Sequence, residues 1–202
     1  MTIRAIFFDF GGVLIRMVDD RPRHELAKQL GVPSSRLDDL VFNSETAHKA
    51  LLGQIPVSIH WEAVRQALGI APGGMPGFLE KYWSADDLNW ELLEYIRTLR
   101  PAYQVGLLSN AWDDLRQTLH ERWNIDGLFN AMIISAEEKM AKPDPRIFQL
   151  AVDRMLVPPE NAIFIDDVVE NVASARAIGL VAIQYHDLRQ VITEVQSIIS
   201  TS

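Results

Sequence analysis

Five short runs of apolar residues stand out along the chain: IRAIFF (3–8), QVGLLS (104–109), AMIIS (131–135), AIFID (162–166) and VAIQY (181–185). Each is nearly continuous and does not alternate with polar residues. That pattern predicts strands buried on both faces of a parallel sheet. Helix-period patterns separate the last four: LRQTLHERW follows the second run, PRIFQLAVDRML the third and VVENVASARAIG the fourth. The last of these ends on Gly179, a residue suited to a helix C-terminus. The segment LRQVITEVQSII adds a final helix. Strands alternating with helices predict right-handed crossovers and a doubly wound, Rossmann-like α/β sheet.

Residues 16–86 break this rhythm. They show helical stretches (RHELAKQL, SRLDDLVF, SETAHKALL, SIHWEAVRQAL, GFLEKYW) punctuated by turn signals such as APGGMPG at 71–77, and no convincing strand. A helix over 87–100, with Ser84 as its N-cap, is expected to return the chain to the sheet. The domain reading is therefore 1–15 and 87–202 as an α/β core, with 16–86 as an all-helical insertion after the first strand. An insertion leaving there overhangs the carboxyl ends of the strands, where open α/β sheets bind ligands.

Those ends carry the chemistry. The first strand finishes at Asp9, followed by Gly11-Gly12. The second finishes at Ser109-Asn110 and the fourth at Asp166-Asp167, and Lys142-Pro143 lies just beyond the third. Singly, each is an ordinary turn or cap residue. In order and at successive strand ends they predict one crevice holding carboxylates, a hydroxyl and an ammonium. Clustered carboxylates repel without a cation between them, and hard oxygen ligands suit Mg²⁺. Lysine and hydroxyl would bind phosphoryl oxygens, and a carboxylate could attack phosphorus. Gly11-Gly12 reads as a tight turn whose N–H groups approach the phosphoryl group. Asp167 is open between a metal contact through water, a helix cap and a hold on Lys142.

The 202 residues carry a formal net charge of −8, which argues against nucleic acid as partner. No run approaches a membrane span. With no cysteine and no leader-like pattern, a cytoplasmic setting is expected.

FFDFGGVL, GLLSNAW, AKPDPRIF and FIDDVVENVASARAIG resemble the four ordered motifs of the haloacid dehalogenase (HAD) superfamily. The likeness spans the chain and places a C1-type cap at the helical insertion. It implies Asp9 as nucleophile and Mg²⁺ bound by Asp9, the Gly11 carbonyl and Asp166. It also implies Ser109 and Lys142 as phosphate ligands, and Asn110, beside Ser109, is placed in the same phosphate-binding set. Gly11 departs from the phosphatase pattern, which has an Asp there as general acid. The branch similar to glucose-1-phosphate phosphatases shares that glycine. Expected function is thus Mg²⁺-dependent hydrolysis of small phosphorylated metabolites, sugar phosphates included. A 2-haloacid dehalogenase and a non-catalytic binding protein are the alternatives. Among other residues, His24 and His60 are the histidines placed first for substrate contact. Trp112 and Arg16 are candidates for the crevice, and Trp61, Trp83, Trp90 and Trp123 are read as packing.

Overall fold

The computed structural model describes residues 2–200. Strands β1 (Ala5–Phe8), β4 (Gln104–Ser109), β5 (Ala131–Ile134), β6 (Ala162–Asp166) and β7 (Val181–Gln184) form one parallel sheet in the order β5-β4-β1-β6-β7. All five lie within the apolar runs that predicted them. β1 is central, and Phe8 sits in register with Leu107 on one side and Ile165 on the other. The carboxyl ends of β1, β4 and β6 consequently emerge side by side.

Strict alternation gives the sheet two dry faces. Ile6, Phe8, Val105, Leu107, Ile163 and Ile165 pack under helices α6 (Trp90–Leu99), α7 (Leu115–Glu121) and α11 (Leu188–Ser200). Ala5, Phe7, Leu108 and Phe164 face α9 (Pro145–Arg154) and α10 (Val169–Ala177). Gly106 is fixed by this packing: a Cβ there would lie 2.5 Å from the Phe7 ring. This is the doubly wound architecture expected, and it is an α/β fold with a helical insertion.

The insertion contains α1 (Arg21–Leu30), α2 (Ser34–Phe42), α3 (Glu45–Leu51), α4 (Val57–Ala67) and α5 (Met75–Tyr82). It has its own apolar centre of Leu26, Leu37, Leu40, Val41, Val64, Phe78 and Tyr82. Two differences from the sequence expectation stand out. First, β2 (Ile15–Met17) and β3 (Asp86–Leu88) form an antiparallel ribbon at the two ends of the insertion, where no strand was expected. Three-residue strands, one of them Asp-Asp-Leu, are too short to show a period, and only chain return brings them together. Second, the returning helix α6 is shorter than 87–100, and its N-cap is Asn89, whose side chain accepts from Leu92 N–H. Residues 86–88 belong to the ribbon, so Ser84 lies too far upstream to cap.

The insertion docks on the sheet's carboxyl edge through its α3–α4 side. Gly53 (φ +59°) approaches so tightly that a Cβ would lie 2.0 Å from the Ala136 carbonyl oxygen, in the short helix α8 (Ser135–Glu138). Val57 N–H donates to Asp113 Oδ1 (3.1 Å), and Trp112 Nε1 to the Ala47 carbonyl (3.4 Å). Among the described residues no helix is long and apolar enough to cross a membrane.

Candidate active site

Strand alternation turns Asp9 and Asp166 to the same face, and Lys142 enters between them. Its Nζ lies 2.7 Å from Asp9 Oδ1, 2.6 Å from Asp166 Oδ2 and 2.9 Å from the Leu108 carbonyl, which engages all three ammonium donors. Lys142 and Asp166 are fully enclosed, and Asp9 is nearly so. The Lys142 loop is held by Asn110, whose amide donates to the Lys142 carbonyl and accepts from its N–H, each at 2.8 Å. The Asn110 loop is tied down in turn: the Ser135 hydroxyl donates to the Ala111 carbonyl and accepts from its N–H.

Asp166 is the most constrained carboxylate. Beyond Lys142 it accepts from Val168 N–H (2.8 Å) and from Asn171 Nδ2 at both oxygens (3.1 and 3.0 Å). Asn171 and Ser135 were not singled out in the sequence. A signal existed for Asn171, which sits five residues past Asp166 in the first turn of α10 and so faces back toward the strand end. Nothing local marks Ser135.

Asp167 lies against the Gly12 turn: a Cβ on Gly12 (φ +75°) would be 2.2 Å from its Oδ2. Glycine is therefore required there twice, for conformation and for space. Two of the three readings open for Asp167, the helix cap and the hold on Lys142, find no direct contact here. Lys142 pairs with Asp9 and Asp166, and α10 has no side-chain cap.

One oxygen from each of Asp9, Asp166 and Asp167 lies within 4.8 Å of the others. Three carboxylates against one ammonium leave an excess of two negative charges, which fits a hard divalent cation. The electrostatics around Asp9 agree. Burial, followed by the charge of Asp166, raises its pKa to about 7 despite the adjacent Lys142. Burial and Asp166 also raise Asp167. Carboxyl groups pushed up in this way mark a site short of positive charge, which a divalent cation would supply.

Next to the cluster is a cavity of about 590 Å³ between sheet edge and insertion. Its inner end is Gly11, Gly12, Ser109 and Asn110, the loops that carry the cluster. Its walls include Phe10, Met17, Phe42, Leu51, Trp61, Leu79, Trp83, Trp112 and Trp123, with Arg16, Arg23, Asp86, Asp114 and Arg122 among the polar members. Trp112 and Arg16 thus stand where the sequence placed them as candidates. Trp61, Trp83 and Trp123 also line the cavity, beyond the packing role read for them, while Trp90 is half exposed at the start of α6. The shared aromatic wall arises from helices distant in sequence, so no local pattern displays it. A smaller cleft of about 450 Å³, lined by Arg16, Asn89, Tyr185 and α11 residues, lies apart from the carboxylates.

The histidines stay out of the site. His60 is buried, with Nε2 against the Val41 carbonyl (3.0 Å) and Nδ1 against Thr46 Oγ1 (2.9 Å). A carbonyl accepts only, so Nε2 carries the proton and the Thr46 hydroxyl donates to Nδ1. His24 is exposed beside the Asp20 carbonyl. Gly11 is exposed to the cavity, its φ is outside the left-handed region, and an added Cβ would meet nothing within 4 Å.

A parallel sheet with acids at the ends of β1 and β6, a lysine between them and a helical insertion overhead defines an α/β protein with a carboxylate centre at its strand ends. Residues 3–179 match the sequence pattern of the haloacid dehalogenase-like hydrolases, and the chain belongs to that family. It is 25% identical over 191 residues to a sesquiterpene phosphatase of Aspergillus oryzae, covering 92% of this chain and 91% of that protein. It is 28% identical over 217 residues to bifunctional epoxide hydrolase 2 of Sus scrofa; that match takes in 98% of this chain but 39% of the relative. Among solved structures it is similar to a HAD family enzyme of Bacteroides thetaiotaomicron, crystallised with magnesium and inorganic phosphate. The TM-score is 0.78 at 22% identity, over 94% of this chain and 98% of that one.

Proposed function

We propose that this protein is a Mg²⁺-dependent phosphatase of small phosphate monoesters, working through an aspartyl-phosphate intermediate. The observation that carries this reading is the buried Asp9–Lys142–Asp166 contact with Asp167 completing the oxygen set. A carboxylate displacing halide from carbon needs no cation, whereas three carboxylates on one ammonium need one. The phosphatase among the relatives, and the magnesium and phosphate bound by the similar Bacteroides enzyme, support the same direction.

In this reading Asp9, Asp166, Asp167 and the Gly11 carbonyl hold Mg²⁺, which when bound offsets negative charge on the phosphoryl oxygens. Asp9 attacks phosphorus in line; its Oδ–P bond forms as the ester P–O bond breaks, and the departing oxygen takes a proton from solvent. Water then cleaves the acyl phosphate, returning Asp9 and releasing inorganic phosphate. Ser109 and the Gly11–Gly12 N–H groups orient the phosphoryl oxygens, and Lys142 restrains the charge of Asp9. Asn110, engaged on the Lys142 backbone, acts by placing that ammonium. The segment 16–86 serves as the cap that selects the leaving group. General acid help is typically worth about 10² to 10⁴ in rate, so its absence at Gly11 slows turnover on poor leaving groups without removing the nucleophile.

The test is a screen of phosphate monoesters with and without Mg²⁺, with Asp9→Asn as control. Phosphate release that requires both Mg²⁺ and Asp9 is expected. Halide release from 2-haloacids in EDTA would move the assignment to a dehalogenase. Lack of turnover in both assays, together with no Mg²⁺-dependent beryllofluoride binding, would make the protein a non-catalytic family member.

A further inference from the structure

Resting on the phosphatase reading, we infer that the alcohol portion of the substrate is apolar, an alkyl or aryl-alkyl group, and not a sugar. The cavity that begins at Gly11, Gly12, Ser109 and Asn110 is walled by Met17, Phe42, Trp61, Trp83, Trp112 and Trp123. Its volume of about 590 Å³ lies in the range of small-molecule sites.

Two of these side chains sit in the wrong solvent for a polar pocket. Phe42 and Met17 are each 43% exposed, although they come from separate elements, the end of α2 and the ribbon strand β2. Phe42 stacks on Trp112 with ring centroids 6.0 Å apart and planes 11° from parallel, and edges onto Trp83 at 5.9 Å. Trp112 in turn meets Trp61 edge-on at 5.2 Å. The result is a continuous aromatic surface that water covers poorly and an apolar body would cover well.

Several polar groups on the walls are engaged with one another. Arg23 reaches Asp86 at 2.9 and 3.1 Å and lies 4.2 Å over the Tyr82 ring. Trp112 Nε1 is on the Ala47 carbonyl, and Thr118 Oγ1 donates to the Asp114 carbonyl (3.0 Å). A hexose leaving group would set several hydroxyls against these aromatic rings, and each hydroxyl left unmet there opposes binding. Arg16 and Arg122 line the cavity with exposed side chains.

Primary alkyl phosphates isolate this property, because the bond broken is the same throughout. With Mg²⁺, phosphate release is measured for butyl, hexyl, octyl and decyl monophosphate below their micelle concentrations, beside glycerol 3-phosphate and glucose 6-phosphate. The expected result is a kcat/KM that rises along the alkyl series, by up to about fourfold per methylene at full burial, with both polyols below octyl phosphate. Phe42→Ala should flatten that rise. A second readout needs no turnover: with Mg²⁺ present, octylphosphonate, whose C–P bond is not hydrolysed, should shift the tryptophan fluorescence saturably, methylphosphonate should not, and Phe42→Ala should weaken the response. A flat alkyl series, or glucose 6-phosphate at or above octyl phosphate, would overturn the inference, as would an octylphosphonate titration without saturation. If no ester is hydrolysed but octylphosphonate saturates the wild-type fluorescence and Phe42→Ala weakens it, the apolar site stands and the phosphatase reading falls.

Discussion

Lys142→Met removes a buried cation while keeping most of its volume, and its cost follows from the three oxygens around Nζ. Removing one partner of a buried ion pair typically costs about 3–5 kcal/mol, because the remaining charge is left in a poor solvent. Here two carboxylates and a carbonyl lose their donor, yet Asp9 has an escape. Its pKa is already raised to about 7 by burial and by Asp166, and loss of the lysine's attraction raises it further. The variant therefore holds a proton on Asp9 through a range where the wild type gives it up, and each pH unit of that range costs about 1.4 kcal/mol. At pH 5.5 Asp9 is protonated in both proteins, and only the Asp166 side of the loss remains, softened by Val168 N–H and Asn171. The assay is urea unfolding in EDTA at pH 5.5 and pH 8. With a slope of about 2 kcal/mol per molar, the full penalty corresponds to a midpoint about 1.5–2.5 M lower at pH 8, with a smaller drop at pH 5.5. Asp9→Asn combined with Lys142→Met should cost less than the two single changes added, by about 1 kcal/mol or more. Equal losses at both pH values, or a midpoint at pH 8 within 0.5 M of wild type, would refute the placement of an ionised Asp9 against Lys142.

Three further outcomes are expected. Gly12→Ala drives a Cβ into Asp167 and forces a left-handed backbone on alanine, so Mg²⁺ affinity measured by calorimetry should fall at least tenfold and stability by about 1–2 kcal/mol; an unchanged affinity would separate Asp167 from the metal set. Burial lowers the pKa of His60 from 6.5, so its contribution to stability is complete above that pH and is lost as pH falls below it; the difference in urea midpoint between wild type and His60→Gln should narrow from pH 7.5 to 5, and a constant difference would contradict a neutral buried ring. Gly11→Asp has open space at its Cβ and ordinary backbone conformation, so the variant should fold normally and raise kcat on poor leaving groups by about 10²-fold; a properly folded variant with unchanged kcat would show that leaving-group protonation does not limit the rate.

Much of the molecule was legible in one dimension. The five strands could be read because a strand buried on both faces has to be apolar at nearly every position, and the crossover helices because each buries one stripe. Asp9, Ser109, Lys142 and Asp166 could be read because parallel strands deliver their ends to one edge, so position in the chain implies proximity. The short ribbon at 15–17 and 86–88 escaped because its pairing partner lies some seventy residues away, and three residues carry no period. Asn110 was read as a phosphate-binding residue of the edge, and its hold on the Lys142 backbone was not visible, because that contact depends on how two loops pack.

By itself the sequence determined the sheet, the order of its elements and the set of carboxylates and lysine available at one edge, since all of these follow from local hydrophobic period and topology. Only the tertiary structure decided how those charges are shared and what surrounds the substrate. The Lys142 ammonium at 2.7 and 2.6 Å from two acids, the Asp167 carboxylate against Gly12, and an aromatic wall assembled from Phe42, Trp61, Trp83 and Trp112 all join residues far apart in the chain. Their electrostatics and apolar area exist only once the helical insertion has folded back over the strand ends.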